Sequence, residues 1–163
     1  MARHLGIAAV AVAVACVVAS ASSAHADVTA FLGVSPTSPV RLAKGVAAGA
    51  GLVVVAFEFE AAQLAERTAK AAPGLTTGMA NVLVQTPLAV SGLQFYGTTG
   101  AGVYRERLGS AQETSVAANI GGGVKIKVAG PLRLRLDYRL FRLRGAPLNP
   151  TYHRLYAGAT LGF

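Results

Sequence analysis

Apolar and charged residues alternate strictly in the segment LRLRLDYRL, which runs from Leu132 to Leu140. One set of alternate positions holds three arginines and an aspartate, and the other holds four leucines and a tyrosine. A β-strand with different environments on its two faces has this period of two. The segment therefore predicts a strand with one apolar and one charged face.

The same period continues along most of the chain, and turn residues interrupt it at intervals. Phe57 and Phe59, for example, alternate with Glu58 and Glu60 in one such segment. No convincing helical stripe lies between the segments. The alternation predicts eight strands, near residues 27–34, 45–52, 54–63, 75–86, 92–106, 114–128, 132–143 and 152–163.

The connections between these predicted strands alternate in character. The first, third, fifth and seventh are long or polar, whereas the second, fourth and sixth are tight. If the strands run up and down in turn, the long connections meet at one end and the tight ones at the other. Outer-membrane barrels have this asymmetry, with short periplasmic turns and longer extracellular loops. The pattern predicts an all-β fold, an eight-stranded antiparallel up-and-down transmembrane β-barrel.

Alternation alone does not say which face points into the barrel. A soluble barrel buries its apolar face, whereas a membrane barrel keeps charges in the lumen and turns the apolar face to lipid. Glycines accompany the charges on the polar faces, for example Gly121 and Gly123 beside Lys125, as expected where interior space is limited. The apolar faces are mainly aliphatic. These features favour the lipid-facing orientation, although the absence of tryptophan is atypical of an interfacial girdle.

The N-terminal residues have the three-part organisation of a secretory signal peptide. A basic start with Arg3 precedes an uncharged apolar run over residues 5–20, and small residues follow up to Ala26. The apolar run is short for a membrane-spanning helix of about 20 residues. Residues 1–26 are therefore predicted to be a signal peptide cleaved after Ala26, and residues 27–163 to be a single outer-membrane β-barrel domain.

Composition narrows the classes of partner. The chain carries 15 lysines and arginines against 7 aspartates and glutamates, a net charge of +8 at pH 7. Export argues against nucleic acid and favours outer-membrane lipid and the phosphates of lipopolysaccharide. The one cysteine, Cys16, leaves with the signal unless it is a lipoprotein anchor, so the exported domain has no disulfide. The basic residues expected to meet lipopolysaccharide or a host surface are Arg41, Lys44, Arg67, Lys70 and Arg107.

The C-terminal segment YAGATLGF ends on a phenylalanine. With the export signal and the eight alternating strands, this ending makes residues 27–163 resemble the small eight-stranded outer-membrane β-barrels of the OmpA and OmpX type. Tyr156, Gly158, Leu161 and Phe163 fall on the positions of the C-terminal assembly signal of that class. The resemblance implies that the outer-membrane assembly machinery reads this strand, and that the protein resides in the bacterial outer membrane.

A barrel of eight strands has an interior just wide enough for side chains to fill. The third and seventh predicted strands lie opposite each other in such a ring, so the glutamates of one are expected to face the arginines of the other. Buried charges need partners because an isolated one is costly. The network is predicted to be structural and to fill the lumen, with a small ion path as the alternative. Its predicted members are Glu58, Glu60, Lys125, Lys127, Arg133, Arg135, Asp137 and Arg139.

Catalytic chemistry finds little support in the sequence. Some small outer-membrane barrels modify lipid with a serine, a histidine and a carboxylate, but only His153 remains in the predicted domain and no such partner stands beside it. The chain has no metal-ligand spacing, and its glycine-rich segments lack the context of a phosphate loop. We expect no enzyme, cofactor or metal site. A secreted lipocalin-like carrier of an apolar ligand and a lipid-modifying outer-membrane enzyme are the alternatives.

Overall fold

The computed structural model describes residues 25–37, 39–87 and 91–163, which form a ring of antiparallel strands. Each strand pairs with its neighbours in sequence, and the last pairs with the first to close the barrel. The predicted fold class is therefore confirmed. The strands are β1 (His25–Ser35), β2 (Arg41–Gly51), β3 (Val55–Leu64), β4 (Gly74–Gln85), β5 (Leu93–Leu108), β6 (Ala111–Ala129), β7 (Leu132–Leu143) and β8 (Thr151–Gly162), with a 3₁₀ turn at Thr68–Lys70.

The predicted signal peptide falls almost entirely on residues outside the described ranges, so its cleavage stays a prediction. Strand β1 begins at His25, which pairs with Gly51 of β2. The first paired residue therefore lies just upstream of the predicted mature start at Asp27. No helix in the described ranges is long and apolar enough to cross a membrane.

Two connections differ from the alternation of long and tight loops. The fifth was expected to be long, but β5 and β6 continue as a hairpin closed by Gly109 and Ser110 alone. Gly109 has a φ of 59°, a value that favours glycine at the first central position of a two-residue turn. The fourth connection was expected to be tight, but it runs from residue 86 to residue 92. The β5–β6 connection is short because Gly109 permits a two-residue turn, even though the residues around it are polar.

The two faces of the sheet have opposite character. Many charged side chains and most tyrosines point inward and are buried together with Phe31 and Phe141. Most aliphatic side chains and the remaining strand phenylalanines point outward and are exposed, as with Phe59 at 72%. A soluble barrel needs the reverse arrangement, so the alternative of a lipocalin-like carrier is wrong. Every strand adds to the outward apolar surface, through Leu32, Val46, Phe59, Val82, Val103, Ile120, Leu134 and Leu155.

The interior is layered along the barrel axis. Ala56, Leu83 and Tyr96 pack together near the end of the barrel where β1 begins and β8 ends. A larger apolar cluster that includes Leu64 and Phe141 fills the opposite end. The charged side chains described below lie between these two layers, in the middle of the lumen.

Candidate functional site

Strands β3, β7 and β8 supply the charged groups at the centre of the lumen. Because alternate residues point inward, β7 contributes three such groups and β3 contributes two, while β8 adds a third arginine. All six side chains are at most 3% exposed. We call them the ionic cluster, and its members are Glu58, Glu60, Arg135, Asp137, Arg139 and Arg154.

Arg135 bridges the two sides of the lumen. Its guanidinium donates to both carboxylate oxygens of Glu58 across the barrel, and the longer of the two bonds, to Oε1, measures 3.4 Å. The same group contacts Asp137 on its own strand at 3.0 Å. Charge-assisted contacts of this kind are stronger than neutral hydrogen bonds and fix the orientation of the guanidinium. Arg135 thereby ties β7 to β3.

Arg139 contacts every carboxylate of the ionic cluster. Its nitrogens lie 2.8 Å from Glu58, 3.0 Å from Glu60 and 3.0 Å from Asp137. Arg154 of β8 then pairs with Glu60 at 2.5 Å. Three guanidiniums therefore meet three carboxylates, and the ionic cluster is neutral overall. Because the charges balance, no charge in the ionic cluster is buried without a partner, which would cost several kcal/mol.

Aromatic rings hold the ends of the ionic cluster in place. Tyr96 donates to Asp137 at 2.5 Å and accepts from Arg135 Nε at 2.7 Å. The Arg154 guanidinium carbon lies 4.7 Å from the ring centroid of Phe141 and 5.3 Å from that of Tyr156. A cation over an aromatic face is attracted to the ring. The Phe141 and Tyr156 rings therefore add to the contact with Glu60 in holding Arg154 in place.

Glycines on the inner face leave the volume that these long side chains occupy. A Cβ added at Gly121 would lie 2.9 Å from Cγ of Arg139 and 2.2 Å from the carbonyl oxygen of Tyr138. A Cβ added at Gly123 would lie 2.5 Å from the Tyr96 hydroxyl. The expectation that inward glycines accommodate large neighbours therefore has a direct geometric basis at these two positions.

Neutral polar groups extend the ionic cluster towards β4 and β6. Asn119 donates to Asn81 at 2.8 Å, and Asn81 donates to Glu58 at 3.4 Å. Both amides are buried. They link the carboxylate of β3 to the far wall without adding charge.

The structure separates some predicted members of the network from the ionic cluster. Lys125 is buried but pairs with Asp27 at 2.7 Å, towards the end of the barrel where β1 begins and β8 ends. Lys127 is exposed and Arg133 is half-buried, and neither has an ion pair within the described ranges. Both lie at strand ends, and the β6–β7 register shifts between Lys127 and Ala129. Including Lys127 in the lumen network was therefore wrong, whereas Arg133 lines the mouth of the lumen with Glu58 and Lys125 but pairs with neither.

Sequence reasoning missed three residues of this region. Arg154 joins the ionic cluster, Asp27 pairs with Lys125, and Tyr96 positions Asp137. Arg154 shares the polar face of β8 with Tyr152 and Tyr156 and alternates with outward Leu155, which was a usable sequence signal for the first. No local signal identified Asp27 or Tyr96, because their partners come from distant strands.

The basic residues expected on the surface occupy three environments. Arg41 is 2% exposed and donates to the carbonyl oxygen of Pro73, so its expected surface exposure was wrong. It is the first residue of β2 and its side chain points into the barrel, which loop composition did not reveal. Lys44 and Arg107 point outward from β2 and β5, whereas Arg67 and Lys70 lie exposed in the β3–β4 connection.

His153 lies on the outer side of β8, half-buried. Its Nδ1 is 2.6 Å from the hydroxyl of Tyr138, and its backbone N–H donates to Thr37 Oγ1 at 3.0 Å. No serine side chain or carboxylate is bonded to it in the part of the chain described. The same part of the chain holds no cluster of three or more metal-ligating side chains.

The residues of the predicted assembly signal divide between the two faces of β8. Tyr156 and Gly158 point inward, and the Tyr156 ring stacks on Phe31 with centroids 4.1 Å apart. Leu161 is 47% exposed on the outer face. Phe163 follows β8 and is 75% exposed, and its backbone N–H donates to Ala26 at 2.8 Å. Recognition of this segment by assembly machinery stays a prediction.

The closed eight-stranded barrel, its apolar exterior and its polar interior define the class of outer-membrane β-barrels. Solved structures of that class share the fold. The structure of Neisserial surface protein A (NspA) matches with a TM-score of 0.69 and 16% identity, over 86% of this chain and 97% of that one. The N-terminal barrel domain of Pseudomonas aeruginosa OprF matches with a TM-score of 0.66 and 14% identity, over 85% of this chain and 97% of that one.

The outer membrane enzyme PagL has the same fold at a TM-score of 0.50 and 13% identity, over 83% of this chain and 98% of its own. Identities this low establish the fold alone. No family model and no curated protein matches the sequence. The outer-membrane barrel resemblance is therefore confirmed at the level of fold, and the apolar exterior accords with placement in the outer membrane.

Proposed function

We propose that this protein is an integral outer-membrane barrel with a structural or surface-interaction role, whose lumen does not conduct. The observation that carries the proposal is the neutral ionic cluster across the middle of the barrel. Its three arginines are completely buried, so the side chains leave no solvent-exposed charge at that level. A conducting channel needs a hydrated path, which larger barrels have and eight-stranded ones fill with side chains.

The outward surface supports a role in contacts with lipid and the cell exterior. The even strand number brings the start of β1 and the end of β8 to one end of the barrel, and the longest connection, β3–β4 over residues 65–73, lies at the other, which corresponds to the extracellular side in this class. Exposed cations concentrate at that end, where lipopolysaccharide phosphates are the expected anions. These cations are Arg67, Lys70, Arg105, Arg107, Arg142 and Arg144.

We also propose that the protein is not an enzyme and that its last strand is read by the assembly machinery. His153 supports the first point, because its bond to Tyr138 points to an interfacial role and not to activation of a nucleophile. Replacing His153 by alanine should leave lipid composition unchanged. The second point is supported by Leu161 and Phe163, whose exposed apolar side chains on and just after β8 are accessible to a receptor.

Two measurements test the proposal. The membrane fraction should contain a band whose mobility changes on heating, and the purified barrel should give no stable conductance steps in a planar bilayer. Recovery from the periplasm without detergent would contradict membrane insertion, and reproducible single-channel steps would contradict the filled lumen. Arg135→Ala with Arg139→Ala should introduce conductance by emptying the lumen, and the exposed Lys127→Ala is the matched control.

A further inference from the structure

We propose that the outer surface of β3–β5 binds a phosphorylated, multiply acylated glycolipid of the outer leaflet through Arg105 and Arg107. This inference rests on the proposed function, because it requires the barrel to sit in the outer membrane with its longer loops outside. Two adjoining grooves on the outer face carry it, one polar and one apolar.

The polar groove lies at the extracellular end of these strands and has a volume of about 370 Å³. Gln63, Thr76 and Arg105 point outward in it from adjacent strands and are direct register partners. Arg107 pairs with Gln112 of β6 on one side and Gly74 of β4 on the other. The polar side chains of the groove are Gln63, Glu66, Thr76, Arg105, Arg107 and Gln112.

The two arginines of the polar groove have no acidic partner. Neither guanidinium forms an ion pair or side-chain hydrogen bond with any residue in the described ranges. Glu66, the one carboxylate in the groove, instead accepts from the backbone N–H of Gly109 at 2.9 Å. Arginine binds phosphate through a planar fork of donors. The guanidiniums of Arg105 and Arg107 lie two residues apart on β5 and have no ion-pair partner in the described ranges. They therefore suit an anion with several oxygen acceptors, such as a phosphate.

Gly74 keeps the polar groove open opposite Arg107. A Cβ at that position would lie 3.1 Å from Cβ of Glu66. A larger residue would push the glutamate or fill the space beside the guanidinium. The absence of a side chain here leaves room for a sugar or phosphate next to Arg107.

The apolar groove begins directly below the polar groove, on the same strands. Ala61, Gly78 and Val103 are each two residues from Gln63, Thr76 and Arg105, respectively, a step of about 7 Å along a strand. Small outward residues continue down the barrel and leave a volume of about 470 Å³. Residues of this groove include Phe59, Ala61, Gly78, Ala80, Ala101 and Val103.

A soluble polyanion gains nothing from an apolar groove inside the lipid band. An amphipathic molecule with an anionic headgroup and acyl chains fits both grooves at once, because the polar groove lies above the apolar one along the same strands. The extracellular side of the outer membrane presents phosphorylated glycolipid, whereas glycerophospholipid occupies the other leaflet. Lipid A with its phosphates is therefore the ligand chemistry to which the two grooves correspond.

Native mass spectrometry of the full barrel, folded in detergent micelles that carry a defined lipid, tests the inference. The probes are bisphosphorylated lipid A, the same lipid A after phosphatase treatment, and phosphatidylglycerol. We expect the phosphorylated lipid A to half-saturate the barrel at about a tenfold lower concentration than either other lipid, equivalent to about 1.4 kcal/mol.

Paired variants locate the site. Arg105→Gln with Arg107→Gln should abolish the preference for phosphorylated lipid A, and Arg105→Lys with Arg107→Lys should restore only part of it, because lysine lacks the fork. The matched control is Lys127→Gln with Arg133→Gln, which removes the same charge at the opposite end of the barrel, where neither side chain has an ion pair within the described ranges, and it should leave the preference intact.

Several results would overturn the inference. The first is an equal loss of the preference for phosphorylated lipid A in both double glutamine variants. The second is equal binding of phosphatidylglycerol or dephosphorylated lipid A. The third is displacement of lipid A by heparin, which would indicate a site for a soluble polyanion. A folded, heat-modifiable barrel that shows no preference among the three lipids would contradict this inference and leave the proposed function standing. Failure of the barrel to insert into a membrane sinks the proposed function as well.

Discussion

The two sides of the lumen differ sharply in the size and charge of their side chains. Strands β7 and β8 send three arginines inward, and all three are completely buried. Strands β4 to β6 place Tyr96 and Lys125 towards one end of the lumen and Tyr104 and Glu106 towards the other. Between them these strands present amides, threonines and inward glycines, including Asn81, Asn119 and Gly121. The long arginine side chains of β7 and β8 occupy the middle of the lumen, and the small residues of β4 to β6 leave the space for them.

This difference shows that the glycines and the arginines form one packing unit. The interior of an eight-stranded barrel is narrow, so the long side chain of Arg139 requires a short residue beside it, and Gly121 of β6 is its direct register partner. The carboxylates of β3 then neutralise guanidiniums that cross the lumen. Substitutions that remove the charges or fill the small positions separately should therefore lower the free energy of unfolding by different amounts.

Removing both glutamates should have the largest effect. Glu58→Ala with Glu60→Ala leaves three buried arginines with only Asp137 as an acidic partner, and breaking a buried ion pair from one side costs about 3–5 kcal/mol. Urea unfolding of the barrel in micelles, followed by loss of the heat-modifiable band, measures the change in free energy.

The matched variant on the other side is Asn81→Ala with Asn119→Ala, which also removes two polar side chains. It breaks neutral contacts and should cost about 1–2 kcal/mol in total. Equal losses in the two double variants would show that the charge of the ionic cluster contributes no more than its hydrogen bonds.

Enlarging the small side should have the next largest effect. Gly121→Ala places a Cβ against Arg139 and the Tyr138 carbonyl, and overpacking of this kind costs about 3 kcal/mol. Gly97→Ala is the control, because Gly97 is exposed and its added Cβ has its nearest neighbour at 4.0 Å. The same unfolding titration applies, and similar stability of the two variants would refute the packing relationship.

Removing one tyrosine hydroxyl should have the smallest effect. Tyr96→Phe loses a bond to the carboxylate of Asp137, and hydrogen bonds to charged groups contribute about 2 kcal/mol. Tyr104→Phe loses a bond to the neutral carbonyl of Arg144 and should cost about 1 kcal/mol. If Tyr104→Phe proves the more damaging change, then the ionic cluster does not depend on Tyr96 for the position of Asp137.

The alternation of apolar and polar residues determined most of the fold. It placed Glu58, Glu60, Arg135 and Arg139 on the correct faces of their strands, because the side-chain period of a strand is two residues whatever surrounds it. The topology of an up-and-down ring also places β3 opposite β7. The pairing of glutamates with arginines across the lumen was therefore accessible before any coordinates.

Only the tertiary structure decided which charges meet and which strand ends leave the lumen. Arg133 and Lys127 have the same alternation as Arg135 and Lys125, yet they lie at the barrel's end, where the lumen opens. Arg41 reads as a loop cation but points inward from the start of β2. The pairing of Asp27 with Lys125 joins β1 to β6 across the lumen and therefore depends on closure of the ring. Local sequence specifies the face of each residue, whereas its depth along the barrel is set by strand register and tilt, which are properties of all eight strands together.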